Sequence, residues 1–431
     1  KTVSSIDIGI NPVEVIDKKR LLINLKLIFP NKDYIDIEKK LNLKKFFYFE
    51  KKITDKNYEK IMLLGDKSIK SEEKLTRIYP HENLFSHIIG QIDDNNNGIS
   101  GIEKSLDLKL KEIQKPLQLT VDSDIQFLIR RELIRFQPIF NNIGSAAILM
   151  DVNNGNILSM ISLPDFNLNE RKTITDQNYI NRVSKGVYEM GSVFKTFTVA
   201  SGLNEEIIQT DTEFEDLPKS LECANRPIRE YDEKMPTDLT VEEILIKSGN
   251  IGSVRIAQAV GIKKFSSFLE KLGLLNKIEF DIEEVGEPHA IRWGKCKLAT
   301  AAFGHGITTT PLQLAKAYSI IVNGGYDISP TLIKQNFQKE NKLILEKGVS
   351  EKMNLILRKI VSSKEGTANF ANIYGYEIGG KTGTAQKSID GVYSKNKVNT
   401  FASIFPTSNP KFVFVLLMDE PKANKEYVYY F

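Results

Sequence analysis

The chain has 431 residues, of which 41% are hydrophobic and 26% are charged. This length predicts two or three domains, and the composition excludes a lone small binding module, wholesale disorder, a collagen and a disulfide scaffold. The net charge of +4 arises in residues 1–115, with 22 basic and 18 acidic side chains, whereas residues 116–431 hold 37 of each. This balance argues against a nucleic-acid channel, since phosphate binding needs a sustained basic surface.

The chain contains little that indicates its compartment. Its longest apolar run, Phe412–Met418, has seven residues, whereas a membrane-spanning helix needs about 18 or more. The chain begins at Lys1 without a signal-peptide pattern, so an anchor or targeting segment could precede it. Cys223 and Cys296 could form one disulfide, but they lack the spacing of a metal site or a redox pair. The sequence leaves open whether they pair.

Residues 1–115 predict a modest domain of short strands and helices, because apolar stretches such as Arg20–Phe29 are separated by polar breaks. Within them, Asp93–Gly98 matches the first half of a calcium loop. The twelfth position of that loop is Lys104, where calcium needs a bidentate Glu. We therefore interpret the segment as a surface turn and predict no metal site.

A second domain is predicted for residues 116–431. It begins with a helix at Asp122–Phe136, followed by a hairpin of two strands at Ser145–Val152 and Ile157–Ser162. Further helices are predicted at Ser192–Leu203, Val241–Lys247, Asn250–Val260, Ile262–Leu272 and Pro311–Val322, and further strands at Tyr376–Gly380, Thr400–Phe405 and Lys411–Met418. Strands from both ends of the domain and helices from its middle predict one sheet covered by helices, an α+β fold.

A candidate nucleophile lies at Ser192, where a lysine follows three residues later at Lys195. This spacing places both side chains on one helix face, where a neutral lysine can take the serine proton and the helix N-terminus offers free N–H donors. The Ser-x-x-Lys pattern is not specific, since it also occurs at Ser71/Lys74, Ser394/Lys397 and Ser408/Lys411.

The order of three motifs is more informative than any one of them. Ser248-Gly249-Asn250 follows Ser192 between two predicted helices, and Lys381-Thr382-Gly383 follows the predicted strand Tyr376–Gly380. Separately they would be a helix cap, a turn and a polar loop. Ser-x-x-Lys, Ser-x-Asn and Lys-Thr-Gly in this order form the signature of penicillin-binding proteins and serine β-lactamases.

From about residue 75 onward the chain resembles class B penicillin-binding proteins, specifically the division-specific peptidoglycan D,D-transpeptidases of the penicillin-binding protein 3 type. The resemblance rests on Arg77-x-Tyr79-Pro80, His87-x-x-Gly90, Gly98–Glu103, Leu119–Asp122, Tyr188–Lys195, Ser248–Gly252, Phe303–Gly306, Thr310–Gln313, Lys381–Ala385 and Asp419-Glu420-Pro421. It implies a penicillin-binding, serine β-lactamase-like transpeptidase domain with a central antiparallel sheet at residues 116–431, preceded by a smaller non-catalytic pedestal domain at residues 1–115.

The resemblance also implies roles for the catalytic residues. Ser192 would be the acylated nucleophile and Lys195 its base. Ser248 would relay a proton to the leaving D-alanine, and Asn250 would hydrogen-bond the amide of the donor peptide.

A second group of residues would bind the substrate. Lys381, Thr382 and Thr384 would hold its terminal carboxylate, and Gly383 would leave room for it. The backbone N–H groups of Ser192 and Thr384 would form the oxyanion hole.

The resemblance further implies partners and a location. Peptidoglycan stem peptides would be the substrates, and β-lactam antibiotics would bind covalently at Ser192. Divisome membrane partners, including a lipid II polymerase, and an upstream transmembrane anchor would place the chain on the periplasmic side of the bacterial inner membrane. No cofactor and no nucleic acid are expected.

Other functions remain open at this point. An elongation-type transpeptidase or a β-lactam sensor would keep all three motifs. A class A β-lactamase would need a Glu-x-x-Leu-Asn stretch between Asn250 and Lys381, and the sequence has none. A Ser-His-Asp hydrolase would need a Gly-x-Ser-x-Gly elbow, which is also missing, so we interpret His305 as structural.

Overall fold

The computed structural model describes residues 2–113, 115–170, 177–223, 227–335, 341–389 and 392–425, without the side chains of residues 388, 389 and 392. Within these ranges no helix is long and apolar enough to cross a membrane. The chain forms two compact units, Lys1–Glu82 with Ile92–Asn97, and Asn83–Gln91 with Gly98–Phe431. The division into a pedestal domain of residues 1–115 and a transpeptidase domain of residues 116–431 assigns roles as well as bounds, and it stays a prediction.

The first unit consists of an antiparallel sheet and three helices. Its strands are β1 (Thr2–Ile10), β2 (Phe47–Ile53) and β3 (Ile69–Arg77) in the order β2-β1-β3, and its helices are α1 (Lys18–Ile28), α2 (Tyr34–Asn42) and α3 (Asp55–Met62). Side chains of Asp17, Asp33 and Thr54 accept backbone N–H groups at the helix starts. In the predicted turn, Asp93 Oδ1 accepts the N–H groups of Asn95 and Asn97, which closes the loop on its own side chain.

The second unit carries the remaining elements. Its helices are α4 (Ser86–Ile89), α5 (Gly101–Ser105), α6 (Asp107–Glu112), α7 (Ser123–Phe140), α8 (Lys195–Asn204), α9 (Val241–Ile246), α10 (Asn250–Val260), α11 (Ile262–Lys271), α12 (Lys295–Ala301), α13 (Pro311–Val322) and α14 (Lys347–Ser362). Its strands are β4 (Gly144–Asp151), β5 (Ile157–Leu163), β6 (Glu213–Phe214), β7 (Ser220–Leu221), β8 (Ile228–Arg229), β9 (Leu239–Thr240), β10 (Gly379–Ile389), β11 (Val392–Phe405) and β12 (Phe412–Asp419).

One five-stranded antiparallel sheet organises this unit, in the order β10-β11-β12-β4-β5. Because side chains alternate along a strand, β4 contributes to two cores. Ala146 and Ile148 face the main core of the unit. Ala147 packs in a smaller core with Leu133 of α7 and Ile161 of β5. The predicted α+β arrangement, a sheet from both ends of the domain covered by helices from its middle, is confirmed.

Helix α8 runs through the main core. All its residues from Lys195 to Leu203 are buried. The ring of Phe197 packs edge-on against that of Tyr318 of α13, with centroids 5.3 Å apart, and the Tyr318 hydroxyl donates to Val193 O at 3.0 Å. Contacts on all sides fix the helix that carries Lys195 and directly follows the candidate nucleophile Ser192, because a core packed at this density leaves little room for movement.

The structure corrects three element predictions. The strand predicted at Thr400–Phe405 begins already at Val392. The strand predicted at Tyr376–Gly380 begins only at Gly379 and continues to Ile389, so Lys381-Thr382-Gly383 lies inside a strand and not after one. The helix predicted from Ser192 begins as a single 3-10 turn, Gly191–Phe194, and becomes α-helical at Lys195. The bounds predicted for α10 and α13 are confirmed. The sequence interpretation missed α12 and α14.

Candidate active site

Ser192 lies in the nucleophile turn, which we define as the 3-10 turn Gly191–Phe194. Glycines allow this turn to lie directly against β10. Gly191 has a φ of +59°, and a Cβ at this position would be 2.3 Å from Thr384 O. A Cβ on Gly383 would be 2.2 Å from Met190 O. Gly383 therefore lets the strand and the turn approach each other.

The side chain of Lys195 occupies the centre of the site. It is fully buried, and its Nζ donates to Ser248 O at 2.5 Å, to Asn250 Oδ1 at 2.7 Å and to Ser248 Oγ at 3.1 Å. Within the described ranges the half-buried Ser192 hydroxyl makes no hydrogen bond. Three donated bonds match the three protons of an ammonium group, and loss of one proton leaves a lone pair that can accept the Ser192 proton.

Ser248 holds the second motif in an uncommon conformation. Its φ is +61°, in the left-handed region that a non-glycine residue seldom adopts, and such conformations cluster at functional sites. Its Oγ accepts hydrogen bonds from Lys195 Nζ at 3.1 Å and from Lys381 Nζ at 2.9 Å. The hydroxyl therefore bridges the lysines of the first and third motifs.

Lys381 projects from β10, which lies at the edge of the sheet. Its buried Nζ also donates to Thr382 O at 3.0 Å and to Thr367 Oγ1 at 3.4 Å. The Thr367 hydroxyl lies 3.0 Å from Thr382 Oγ1. Thr382 is half-buried and the side chain of Thr384 is exposed, so these two face the accessible side of the strand.

Burial sets the charge state of the site. It lowers the pKa of Lys195 to about 7, against the opposing effect of Glu230, which raises it. Burial also lowers the pKa of Lys381, and the neighbouring Lys195 lowers it further. Both effects follow because a buried cation loses hydration and two cations repel each other. Lys195 can therefore be neutral near pH 7, as a general base requires.

His305 does not supply this base. Burial and the nearby charge of Lys195 lower the pKa of His305 to about 4, so its ring is neutral at pH 7. Its Nδ1 is buried and makes no hydrogen bond to the described residues. Its ring lies 5.0 Å from that of Phe303, centroid to centroid. This environment fits the structural role expected for His305.

The structure brings the eight predicted site residues into one region. Lys195, Ser248, Asn250 and Lys381 are joined by hydrogen bonds, while Ser192, Thr382, Gly383 and Thr384 lie on the adjoining turn and strand. The sequence interpretation missed Thr367 and Glu230, which touch the second and third motifs. Nothing in the local pattern around either residue marks it, since each acts through tertiary contacts.

Comparisons with known proteins identify the family to which the chain belongs. The family described as "Penicillin binding protein transpeptidase domain" matches residues 145–429. The "Probable peptidoglycan D,D-transpeptidase FtsI" of Caulobacter vibrioides is 31% identical over 388 residues, which cover 86% of this chain and 65% of that protein. The "Peptidoglycan D,D-transpeptidase FtsI" of Escherichia coli K12 is 26% identical over 415 residues, covering 89% of this chain and 69% of that protein. The chain thus spans about two thirds of these relatives.

Solved structures show the same fold. Penicillin binding protein 3 of Mycobacterium tuberculosis superposes with a TM-score of 0.73 and 24% identity, over 81% of this chain and 85% of that chain. The same protein complexed with ampicillin superposes with a TM-score of 0.74. Since the family match alone covers more than half of the residues, the chain belongs to the penicillin binding protein transpeptidase domain family.

Proposed function

We propose that this protein is a serine peptidoglycan D,D-transpeptidase that cross-links stem peptides during septal cell-wall synthesis and is inhibited by β-lactams. The observation that carries the proposal is the meeting of Lys195, Ser248, Asn250 and Lys381 beside the nucleophile turn. Family membership and the naming of relatives as peptidoglycan D,D-transpeptidases support the reaction and substrate class.

In the first step, neutral Lys195 takes the proton of Ser192 while Ser192 Oγ attacks the carbonyl carbon of the penultimate D-alanine. The carbonyl oxygen becomes an oxyanion that accepts hydrogen bonds from the backbone N–H groups of Ser192 and Thr384. The Thr384 backbone lies against Gly191, next to the nucleophile, which supports this placement. Loss of one such donor typically lowers the rate by about 100- to 1000-fold.

In the second step, the peptide bond breaks and the terminal D-alanine leaves as an amine. The proton held by Lys195 passes through the Ser248 hydroxyl to that nitrogen. This path is supported by the 3.1 Å contact of Lys195 Nζ with Ser248 Oγ. The amine of a second stem peptide then attacks the acyl-Ser192 carbonyl and gives one proton to Lys195. As the ester C–O bond breaks, Lys195 passes this proton to the departing Ser192 Oγ, which completes the cross-link and restores the Ser192 hydroxyl and the neutral amine.

Substrate binding uses the edge of β10. A donor peptide can pair with the free edge of this strand while its terminal carboxylate accepts hydrogen bonds from Thr382 and Thr384. Lys381 acts beneath this surface, because its Nζ is buried and donates to Ser248 Oγ. We therefore infer that Lys381 orients Ser248 and, in its protonated form, attracts the carboxylate, and that the Asn250 amide hydrogen-bonds the donor amide.

The cellular part of the proposal has separate support. The septal role rests on the resemblance and on relatives named FtsI. We propose residues 1–115 as a pedestal domain, a membrane anchor upstream, and a location on the periplasmic side of the bacterial inner membrane. Divisome partners, among them a lipid II polymerase, belong to the same proposal. An anchored enzyme of this kind must hold its site away from the membrane to reach the cell wall.

Intact-protein mass spectrometry after exposure to benzylpenicillin tests the chemistry. We expect a persistent increase equal to the mass of the drug, because opening the lactam ring acylates Ser192 without losing an atom. Peptide mapping should place the label on Ser192, and Ser192→Ala should show none. A label elsewhere, or no label on the folded wild-type protein, contradicts the proposal.

Turnover assays separate the alternative functions. A thioester substrate with an acceptor D-amino acid should give aminolysis products. Hydrolysis of the drug in many turnovers would indicate a β-lactamase, and a single acylation without transfer to any acceptor would indicate a sensor.

A further inference from the structure

Glu230 lies directly behind the second motif. Its Oε2 accepts the backbone N–H of Asn250 at 2.7 Å, and its Oε1 accepts the backbone N–H of Ile251 at 2.8 Å. Both carboxylate oxygens of Glu230 therefore accept backbone N–H groups from the first turn of α10. Hydrogen bonds to a charged acceptor are stronger than those between neutral groups.

The two neighbours of Glu230 hold the same loop. The Asn250 side chain donates from Nδ2 to Arg229 O at 2.8 Å. The Tyr231 hydroxyl donates to Lys247 O at 2.9 Å. Three consecutive residues, which we call the clamp (Arg229–Tyr231), thus contact Lys247, just before the second motif, and Asn250, at its end.

The hydrogen bond from Asn250 Nδ2 to Arg229 O fixes the orientation of the Asn250 side-chain amide. With Nδ2 bonded to Arg229 O, Oδ1 faces Lys195 Nζ at 2.7 Å. A rotated amide would place its NH₂ group against the lysine, where two donors would meet. The clamp therefore keeps Asn250 Oδ1 in place as a hydrogen-bond acceptor for Lys195 Nζ.

Helix α10 depends on Glu230 because it has no cap of its own. Gly249 occupies its N-cap position and provides no side-chain hydrogen bond. Helices α9 and α13 of the same unit begin instead with capping boxes, at Thr240 and Thr310. The preceding residue, Ser248, has a φ of +61°, so the loop needs an external support to keep that conformation.

We propose that Glu230 is a positioning residue for catalysis, which holds the Ser248–Asn250 loop so that Ser248 Oγ and Asn250 Oδ1 face Lys195. The inference rests on the proposed function and deepens it, since it assigns the support of the second motif to a residue 20 positions away in sequence. A disulfide joins Cys223, seven residues before Glu230, to Cys296 of α12.

The charge of Glu230 gives the proposal a second readout. Among the residues that the structure describes, three ionisable side chains act on or near the Lys195 amine: Glu230, which raises its pKa, His305, which is neutral at pH 7, and Lys381, which shares Ser248 Oγ. Removal of the Glu230 charge should lower the pKa of Lys195. The acylation rate should then begin to rise at a lower pH, by a few tenths to about one pH unit.

The experiment compares Glu230→Gln, Glu230→Asp and a matched control, Glu233→Gln. Glu233 lies with Glu230 between β8 and β9 and is exposed, and its change to Gln removes the same charge. For each variant we would measure the second-order rate constant of acylation by a fluorescent penicillin between pH 5 and 9, and the thermal unfolding temperature.

Glu230→Gln should acylate about 10- to 100-fold more slowly at pH 8, as expected when catalytic groups are misplaced by a fraction of an ångström to about 1 Å. The pH at which its acylation rate begins to rise should be lower than in the wild type. Glu230→Asp keeps the charge on a shorter side chain, so it should lose rate without this shift. Glu233→Gln should match the wild type.

The inference is overturned if Glu230→Gln acylates within twofold of the wild type. It is also overturned if rate and unfolding temperature fall together in both Glu230 variants while the pH profile stays unchanged, because a purely structural role would do this. The failure of the proposed function is distinct, since in that case the wild-type protein itself would not be acylated at Ser192.

Discussion

The acylation rate of Ser192 should rise with pH through neutrality, because the Lys195 amine must be neutral to take the serine proton. Burial lowers the pKa of this amine to about 7. At that value about nine tenths of the amine is neutral at pH 8, about one tenth at pH 6 and about one hundredth at pH 5. The second-order rate constant for acylation should therefore fall about a hundredfold from pH 8 to pH 5.

Salt should change this profile little, since Lys195 is fully buried and buried charges are screened much less than exposed ones. The rate can be measured by stopped-flow fluorescence with a labelled penicillin, at each pH where circular dichroism shows an intact fold. The same assay on Lys195→Ala, with the fold intact, should give less than about one hundredth of the wild-type rate at pH 8, the low end of a general-base contribution.

Two results would refute this reasoning. A wild-type rate that stays constant from pH 5 to pH 8 would show that no group with a pKa near 7 governs acylation. A folded Lys195→Ala variant that keeps more than about one hundredth of the rate would place the base elsewhere.

Three further predictions concern stability. The free energy of unfolding of Lys195→Met should exceed that of the wild type, and this excess should be about 2 to 3 kcal/mol larger at pH 6 than at pH 9. The buried protonated amine destabilises the folded wild type at low pH, and this effect is lost as pH rises from about 7 towards the usual lysine pKa. Urea unfolding at both pH values checks this, and an equal excess at both would contradict it. Gly383→Ala should lower the free energy of unfolding by about 1 to 3 kcal/mol and slow acylation, because its Cβ would lie 2.2 Å from the main-chain oxygen of Met190. Gly348→Ala is the control and should have neither effect, since its Cβ would have no atom within 4 Å. Equal unfolding temperatures for the two variants would refute this. Replacing Cys223 and Cys296 by Ser should lower the free energy of unfolding by about 4 kcal/mol, as the chain-entropy model gives for a separation of 73 residues. Unfolding without reductant measures this, and a decrease below about 1 kcal/mol would argue against the disulfide.

Local sequence signals were sufficient where a helix carries its own start and stop. The start of α13 follows from Thr310, which forms a capping box with Gln313, and from Pro311 at the first helical position. Its end is followed by Gly324 and Gly325, both with positive φ. The order of the three motifs was equally informative, because each is a short pattern whose chemistry requires particular side chains. The site could therefore be predicted residue by residue although the distances could not.

The start of β10 could not be predicted in this way. Its residues from Gly379 to Ile389 contain no hydrophobic alternation, and pairing with β11 determines the strand. The predicted segment began instead at Tyr376, which is 66% exposed and lies before the strand. Glu230 was missed for a related reason, since its contact with Asn250 depends on how the chain folds back and on no nearby pattern.

The active site lowers the stability of the fold that contains it. Two fully buried lysines, Lys195 and Lys381, share one hydroxyl, and each cation would be more stable in water. Apolar packing around α8, including the buried rings of Phe197 and Tyr318, offsets this effect and excludes the water that would return the lysine pKa to its usual value. The same burial that makes the lysines costly thus makes Lys195 a base near pH 7, and a substitution that relieves the cost should remove the activity with it.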